Sequence, residues 1–398
     1  MSLSNGRHYL AIPGPSVIPD RVLNAMHRAA PNIYTGELHD MMPGLIADLQ
    51  AVAKTKHHCA IYIVNGHGAW EASLANVLSR GDEVLVLATG RFAHGWATMA
   101  EQLGAKCTII DYGRRAAVDL GQLSEALEGD KGHRFKAVML VQVDTASSVK
   151  NDIAAVRRTM DAAGHPALLM VDCIACLAVD DFHMDDWGVD VMVAACQKGL
   201  MTPPGLGFVF FNDKADRARN SANCVTHYWD WRPRAFPEEF YMRFDGTAPT
   251  HHLYGLRAAL DMINEEGLAN VHARHATLAR AVWAALDAWA VEGPLEPNIA
   301  DPALRAHAVT AVRIGAPNGE ALRSWLTENA GVTLGLGIGM VDPGQPGADG
   351  FFRIGHMGHV NSHMVMGVLG TMQAGLTALG LPHGKGALDA AAAVCAQV

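Results

Sequence analysis

Two residues in this chain, Asp172 and Lys198, are of the types that an amine-based covalent chemistry needs. Residues 167–171 and 189–194, which precede them, are apolar runs of the kind that forms buried strands. A lone Asp after a strand is more often a cap, and a lone Lys more often a solvated surface residue. The pair, at the ends of two strands, points to something narrower. In open α/β sheets, ligands gather at the carboxyl ends of the strands. A lysine amine can form an imine with an aldehyde, and an acid can keep a pyridine nitrogen protonated so that the ring accepts electrons. Those are the needs of pyridoxal-phosphate (PLP) chemistry. The amine must lose a proton to react, so its ordinary value near ~10.4 has to fall. Desolvation and a nearby cationic ring would both lower it.

A third strand end adds an anion site. After residues 60–64 comes Asn65-Gly66-His67-Gly68-Ala69 and then a helical pattern. Glycine lets the backbone approach a ligand, and a helix N-terminus offers free N–H groups to a phosphate. A plain strand–Gly–helix turn is the competing reading. Arg353 stands in the apolar, strand-like run Phe351-Phe352-Arg353-Ile354, where a guanidinium needs a partner. That partner is either a structural carboxylate or the carboxylate of a substrate, which Arg binds bidentately.

The elements that must position these groups alternate. Strands are expected at 60–64, 83–87, 107–111, 137–143, 167–171 and 189–194. Helices are expected at 70–78, 92–103, 120–127 and 153–163. The class is therefore α/β, a mostly parallel sheet covered by helices. Long helices at 251–266 and 268–291 follow, closed by Glu292-Gly293-Pro294. The alternation then restarts with a strand at 308–314, a helix at 319–329 and a strand at 331–336. The expected division is an N-terminal arm 1–20, a large domain 21–268 and a smaller C-terminal α/β domain 269–398. The stretch 342–350 reads as a flexible loop.

Bulk properties exclude several classes. Half of the 398 residues are hydrophobic and 18% are charged, a globular composition. The net charge of −9, with no dense basic cluster, argues against nucleic acid as a partner. No apolar run reaches the ~18 residues of a membrane helix. The first ten residues lack an apolar signal core, so a cytoplasmic location is expected. Seven cysteines do not suggest a disulfide framework, and Cys173 and Cys176, a C-x-x-C, read better as small buried residues than as a redox pair. His57-His58 and His251-His252 lack metal-ligand spacing, so no metal is expected. The glycines at 335, 337 and 339 come too late for a dinucleotide motif and read as a substrate-side loop.

Several segments carry a resemblance: Val171-Asp172-Cys173-Ile174, Cys196-Gln197-Lys198-Gly199-Leu200, Pro203-Pro204-Gly205-Leu206-Gly207, Gly66-His67-Gly68-Ala69-Trp70-Glu71, Tyr254-Gly255-Leu256-Arg257 and Phe352-Arg353-Ile354-Gly355-His356. Together they resemble the class V (fold type I) PLP-dependent aminotransferases, within them the serine–glyoxylate and alanine–glyoxylate group, over nearly the whole chain. The resemblance implies PLP transferase fold type I with a seven-stranded-type sheet. It implies that Lys198 holds PLP as a Schiff base and shuttles the proton. Asp172 would pair with the pyridinium nitrogen, Ile174 would pack on the ring, and Phe92 would stack on the open face. An ordinary core Phe is the rival reading of Phe92. Thr145 would bond near the phenolic oxygen. Gly66, His67, Gly68 and Gln197 would hold the cofactor phosphate, and Arg353 the substrate carboxylate. Thr247 would reach the phosphate of a neighbouring subunit's cofactor, which implies a homodimer with shared sites.

The chain also departs from that pattern. The family's His-Asn-Glu-Thr-Ala-Thr-Gly corresponds to Gln142-Val143-Asp144-Thr145-Ala146-Ser147-Ser148, Phe244-Asp245-Gly246 precedes Thr247 where relatives often have Tyr, and Tyr34 stands where an arginine is common. These changes put substrate identity in doubt, not PLP use. The expected reaction is ping-pong transfer from serine, alanine or aspartate to a small 2-oxo acid, glyoxylate favoured. The rivals are a pyridoxamine–pyruvate type transaminase and a non-catalytic PLP-fold binding protein. A cysteine desulfurase is disfavoured because Cys395 is the only Cys after residue 224.

Overall fold

The computed structural model describes residues 2–397. Seven strands form the larger sheet, in the spatial order His58–Tyr62, Gly207–Phe211, Val191–Ala195, Leu168–Asp172, Phe135–Val141, Glu83–Ala88 and Lys106–Asp111. All neighbours are parallel except Gly207–Phe211, which runs antiparallel to both of its partners. The reason is local. Residues 196–206 join it to the preceding strand without a helix, and a parallel return needs a crossover of a dozen residues or more. Two antiparallel steps return His58–Tyr62 to the common direction. The strands before Gly66, Asp172 and Lys198 thus end on one edge. Leu168–Asp172, Val191–Ala195 and Gly207–Phe211 are buried at every position, as strands covered on both faces must be.

A second sheet of five strands has the order Tyr9–Ala11, Val332–Leu336, Phe351–Gly355, Val309–Arg313 and Glu296–Pro297. The N-terminal segment joins it, pairing parallel with Val332–Leu336 through Tyr9, Leu10 and Ala11. The helix Leu268–Ala290 lies over this sheet. Its Leu278, Val282, Leu286 and Trp289 share one apolar cluster with Ala11, Val312, Leu334 and Phe352.

Some expected bounds shift. The helix expected at 70–78 runs Gly66–Val77. Asn65 Oδ1 accepts the N–H groups of His67 and Gly68 at 3.1 and 3.3 Å, which starts the helix inside the glycine run. The strand expected at 137–143 is Phe135–Val141; Val143–Asp144 instead pairs with Val149–Lys150. There the chain leaves the sheet so that Asp144 can reach Phe92. Among the described residues, no helix is long and apolar enough to cross a membrane.

Candidate active site

Asp172 is the last residue of its strand and is 3% exposed. Its Oδ1 accepts the Ile174 N–H at 2.6 Å, and its Oδ2 accepts the Trp70 indole N–H at 2.8 Å. Burial pushes the carboxyl up to about 7, against the pull of those two hydrogen bonds. Lys198 follows the adjacent strand, and its Nζ donates to the Pro13 carbonyl. Loss of hydration around that amine pulls it down to about 8; the Arg353 charge adds to the fall and Asp172 opposes it. Pro13 lies just beyond Tyr9–Ala11, so the N-terminal segment delivers a wall of the lysine's surroundings. Gly14 has φ of +96°, and a Cβ there would collide with the Lys198 side chain.

Between the two groups lies a cavity of about 250 Å³. Gly66, His67, Phe92, Thr145, Ile174 and Gln197 line it together with Asp172 and Lys198. A Cβ on Gly66 would stand 2.6 Å from Ile174 Cδ1, so glycine is what lets this backbone border the cavity. Burial and the charge of Arg91 hold His67 below its ordinary value, which leaves a neutral imidazole at pH 7. Three of the expected residues are not on this lining. Gly68 is turned to Val64, with its N–H already taken by Asn65. Arg353 is 5% exposed, and its Nε and Nη1 donate to the carbonyls of Leu336 and Thr145 at 2.6 and 2.9 Å. No carboxylate lies within ion-pair distance of it among the described residues, so a structural salt bridge does not account for it. Thr247 is exposed and borders a separate hollow with Tyr34, His39 and Phe240.

Reading residue types left three residues of the site unassigned: Asn65, Trp70 and Asp144. Asn65 caps the helix, as above. Asp144 is fully buried and accepts the N–H groups of Phe92 and Ala146 at 2.8 and 2.9 Å. It therefore anchors the end of the helix Arg91–Gln102 that presents Phe92 to the cavity. Trp70 lies one helical turn beyond Gly66, a spacing that puts the two on one face, but its partner Asp172 is 102 positions away. Cys173 and Cys176 are buried, and both thiols donate to Gln142 Oε1, at 3.4 and 3.0 Å.

Trp70→Phe tests the hold on Asp172. A hydrogen bond to a charged group contributes roughly 1.5–3 kcal/mol. Losing it should raise the Asp172 titration midpoint by about one to two pH units. Infrared titration of the buried carboxyl in the cofactor-free protein reads this directly. An unchanged midpoint would mean that the indole does not hold the carboxylate.

An amine, a buried carboxylate and a glycine-lined turn with imidazole and amide side-chain donors beside it face one cavity. This donor set fits pyridoxal phosphate. The fold and site define the class: a PLP-dependent enzyme with an α/β sheet of mostly parallel strands. Comparison narrows it. The family model described as aminotransferase class-V matches residues 8–355, and the chain belongs to that family. It is an aminotransferase whose cofactor is pyridoxal 5'-phosphate. A serine–glyoxylate aminotransferase of Arabidopsis thaliana is 34% identical over 98% of this chain and 96% of its own length. An L-aspartate–glyoxylate aminotransferase of Paracoccus denitrificans is 36% identical over 96% and 94%. The crystal structure of a pyridoxamine–pyruvate aminotransferase from Mesorhizobium loti has a TM-score of 0.86 at 24% identity, covering 100% of both chains. That likeness is one of fold.

Proposed function

We propose that this enzyme moves the amino group of a small amino acid, serine, alanine or aspartate, to a 2-oxo acid, with glyoxylate the favoured acceptor, in a ping-pong cycle. The observation that carries the reading is the meeting of Lys198 and Asp172 across one cavity, with the Arg353 charge reaching the lysine. The relatives named for glyoxylate support the choice of acceptor. When bound, PLP supplies an aldehyde carbon for the amino group and a ring that takes up electrons from the substrate Cα. Lys198 Nζ is the group that binds at that carbon. With the cofactor and substrate bound, the same Nζ would be the base placed to take the Cα proton and to give it back. Asp172 would hold a proton on the ring nitrogen, and its two hydrogen bonds oppose the burial that raises its carboxyl. Phe92 and Ile174, which line the cavity, would cover the ring and exclude water. Gly66, His67, Gln197 and, through the helix turn it belongs to, Gly68 would hold the phosphate end, and Thr145 would bond near the phenolic oxygen. Arg353 receives the α-carboxylate.

We take residues 21–268 as the large domain and 269–398 as the small one, with 1–20 as an arm; the separate apolar cluster under the five-stranded sheet supports this. Two copies pair so that Thr247 of one serves the other's site. In support, Thr247 lies away from its own Lys198 cavity, and Tyr34 and Tyr241 beside it are 79% and 57% exposed. Seven unpaired cysteines support a cytoplasmic setting.

A matrix of donors against glyoxylate, pyruvate and hydroxypyruvate tests the reading. Serine, alanine or aspartate with glyoxylate should give the highest kcat/KM. Turnover that requires free pyridoxamine and no added PLP would replace it with the pyridoxamine–pyruvate reaction.

Loading of the cofactor should depend on pH in a defined way. The attacking form of Lys198 is the free amine, which grows as pH rises. With the amine at about 8, the rate of PLP capture by cofactor-free protein should climb to about pH 8 and then level. A rate still rising tenfold per unit at pH 9.5 would show an unperturbed lysine.

A further inference from the structure

The short ribbon of Val143–Asp144 and Val149–Lys150 stands outside both sheets and touches two sides of the site. On one side it holds the turn that leads into the helix Arg91–Gln102. Asp144 Oδ2 accepts the Phe92 N–H at 2.8 Å, and Ser147 Oγ donates to the Thr89 carbonyl at 2.8 Å. Asn151 Nδ2, just after the ribbon, donates to Thr89 Oγ1 at 3.0 Å. Thr89, Asp144 and Ser147 are fully buried, so no water competes for these bonds.

On the other side the ribbon holds the strand of Arg353. The Thr145 carbonyl accepts Arg353 Nη1 at 2.9 Å. Ser148 Oγ accepts the N–H of Ala311 at 3.1 Å, and Ala311 is the residue paired with Arg353 across the second sheet. Residues 144–148 therefore grip both the seat of Phe92 and the seat of Arg353.

Asp144 is the charged member of this grip. The helix Arg91–Gln102 starts after Gly90, which has no side chain to cap it. The first N–H groups of a helix need an outside acceptor. Asp144 serves one of them from 52 positions away, at the helix end where the dipole favours an anion. Its place there depends on Gly90, because a Cβ at that position would collide with the Asp144 carboxyl.

We infer that Asp144 is a positioning residue for the reaction: its side chain holds Phe92 and the next carbonyl holds Arg353, so it fixes where the cover of the cofactor ring stands relative to the group that takes the substrate carboxylate. The inference rests on the aminotransferase reading above, including Arg353 as the carboxylate site. An offset between the two seats leaves the substrate bound but misaligned, and misalignment is a loss of rate.

The test starts from Asp144→Asn in the PLP-loaded enzyme. The amide offers one acceptor oxygen where two carboxylate oxygens now serve the N–H groups of Phe92 and Ala146. The kcat should fall roughly 10- to 100-fold, the scale of a misplacement of about 1 Å or less. The KM for the amino donor should move by less than about two-fold, since Arg353 keeps its own bonds. Gly90→Ala, which crowds the carboxyl and keeps its charge, should reproduce the loss in kcat. Joined to Phe92→Leu, Asp144→Asn should cost less than the product of the two single losses, because both act through one ring. The visible circular dichroism of the bound cofactor, read without substrate, should change alike in Asp144→Asn, Gly90→Ala and Phe92→Leu. A loss confined to KM, single losses that multiply, or an unaltered dichroic band in Asp144→Asn would each overturn the positioning role. Absence of transfer from any donor in the wild type would instead sink the aminotransferase reading, while the dichroic band would still report the hold on Phe92.

Discussion

Lys198→Ala should leave the protein folded, unable to bind PLP covalently, and slower in transamination by about 10⁴-fold or more. The expectation follows from three features of one side chain. Its Nζ faces the cavity opposite Asp172, bonded only to the Pro13 carbonyl. Its surroundings lower its proton affinity, so a free amine is available near neutral pH. Among the described residues it is also the only lysine on the cavity lining, so no neighbouring amine can take over. The loss combines two functions, covalent attachment and proton transfer at the substrate Cα. Added methylamine should restore part of the proton transfer but not the attachment. The absorbance of the bound cofactor reads the attachment, and single-turnover rates with a preformed cofactor–amino acid adduct read the proton step. An alanine protein that still traps PLP on reduction with borohydride would move the attachment to another lysine.

The second large effect belongs to Asp172→Asn, which should lower kcat roughly 10²- to 10³-fold, the range for removing one charge placed to stabilise a transition state. The amide keeps the shape but has a single acceptor oxygen for the Trp70 and Ile174 N–H groups, so one of those two bonds is lost together with the charge. Stability should move the other way. The carboxyl sits at about 7 in the folded chain, above its ordinary carboxylate value. The folded state therefore binds that proton more tightly than the unfolded one. The carboxyl favours folding at low pH, and this contribution falls as pH rises from about 4 to about 7. Above that window the ionised group opposes folding, and a neutral amide does not. Cofactor-free Asp172→Asn protein should thus show an equal or higher Tm at pH 8 and lose its advantage at pH 4. A buried charge kept at a cost in stability is what a catalytic cavity requires, and the same trade would be absent if Asp172 were a cap. A lower Tm at pH 8 would point to that plainer role.

Both predictions concern residues that the sequence singles out, and the reason is local. A strand ends where its apolar run ends, so the residue after the run sits at a sheet edge whatever the rest of the chain does. Asp172 and Lys198 were legible in that way, as was Gly66 in its turn. The helices were legible from their period of 3.6 residues and the strands as continuous apolar runs, both of which neighbouring side chains alone define. The helix Gly66–Val77 began earlier than its apolar pattern because a cap, not periodicity, starts it.

What needed the tertiary structure was every relation between distant segments. Residue type gave Trp70 no role; only the packing of its helix against the strand Leu168–Asp172 made it the donor that holds the carboxylate. The strand Gly207–Phe211 is an apolar run like its neighbours, and its reversed direction comes from the short connection before it. Pro13 meets Lys198 across 185 positions because Tyr9–Ala11 completes the second sheet. Arg353 could be read as an arginine in want of a partner. That carbonyls of Leu336 and Thr145, and no carboxylate, hold it is a fact of the loops that converge there. The sequence by itself thus determined which chemistry the chain carries, since residue type and strand end are local properties. The tertiary structure decided how that chemistry is tuned and what it is aimed at, because burial, charge and hydrogen-bond partners are set by segments that meet only in the fold.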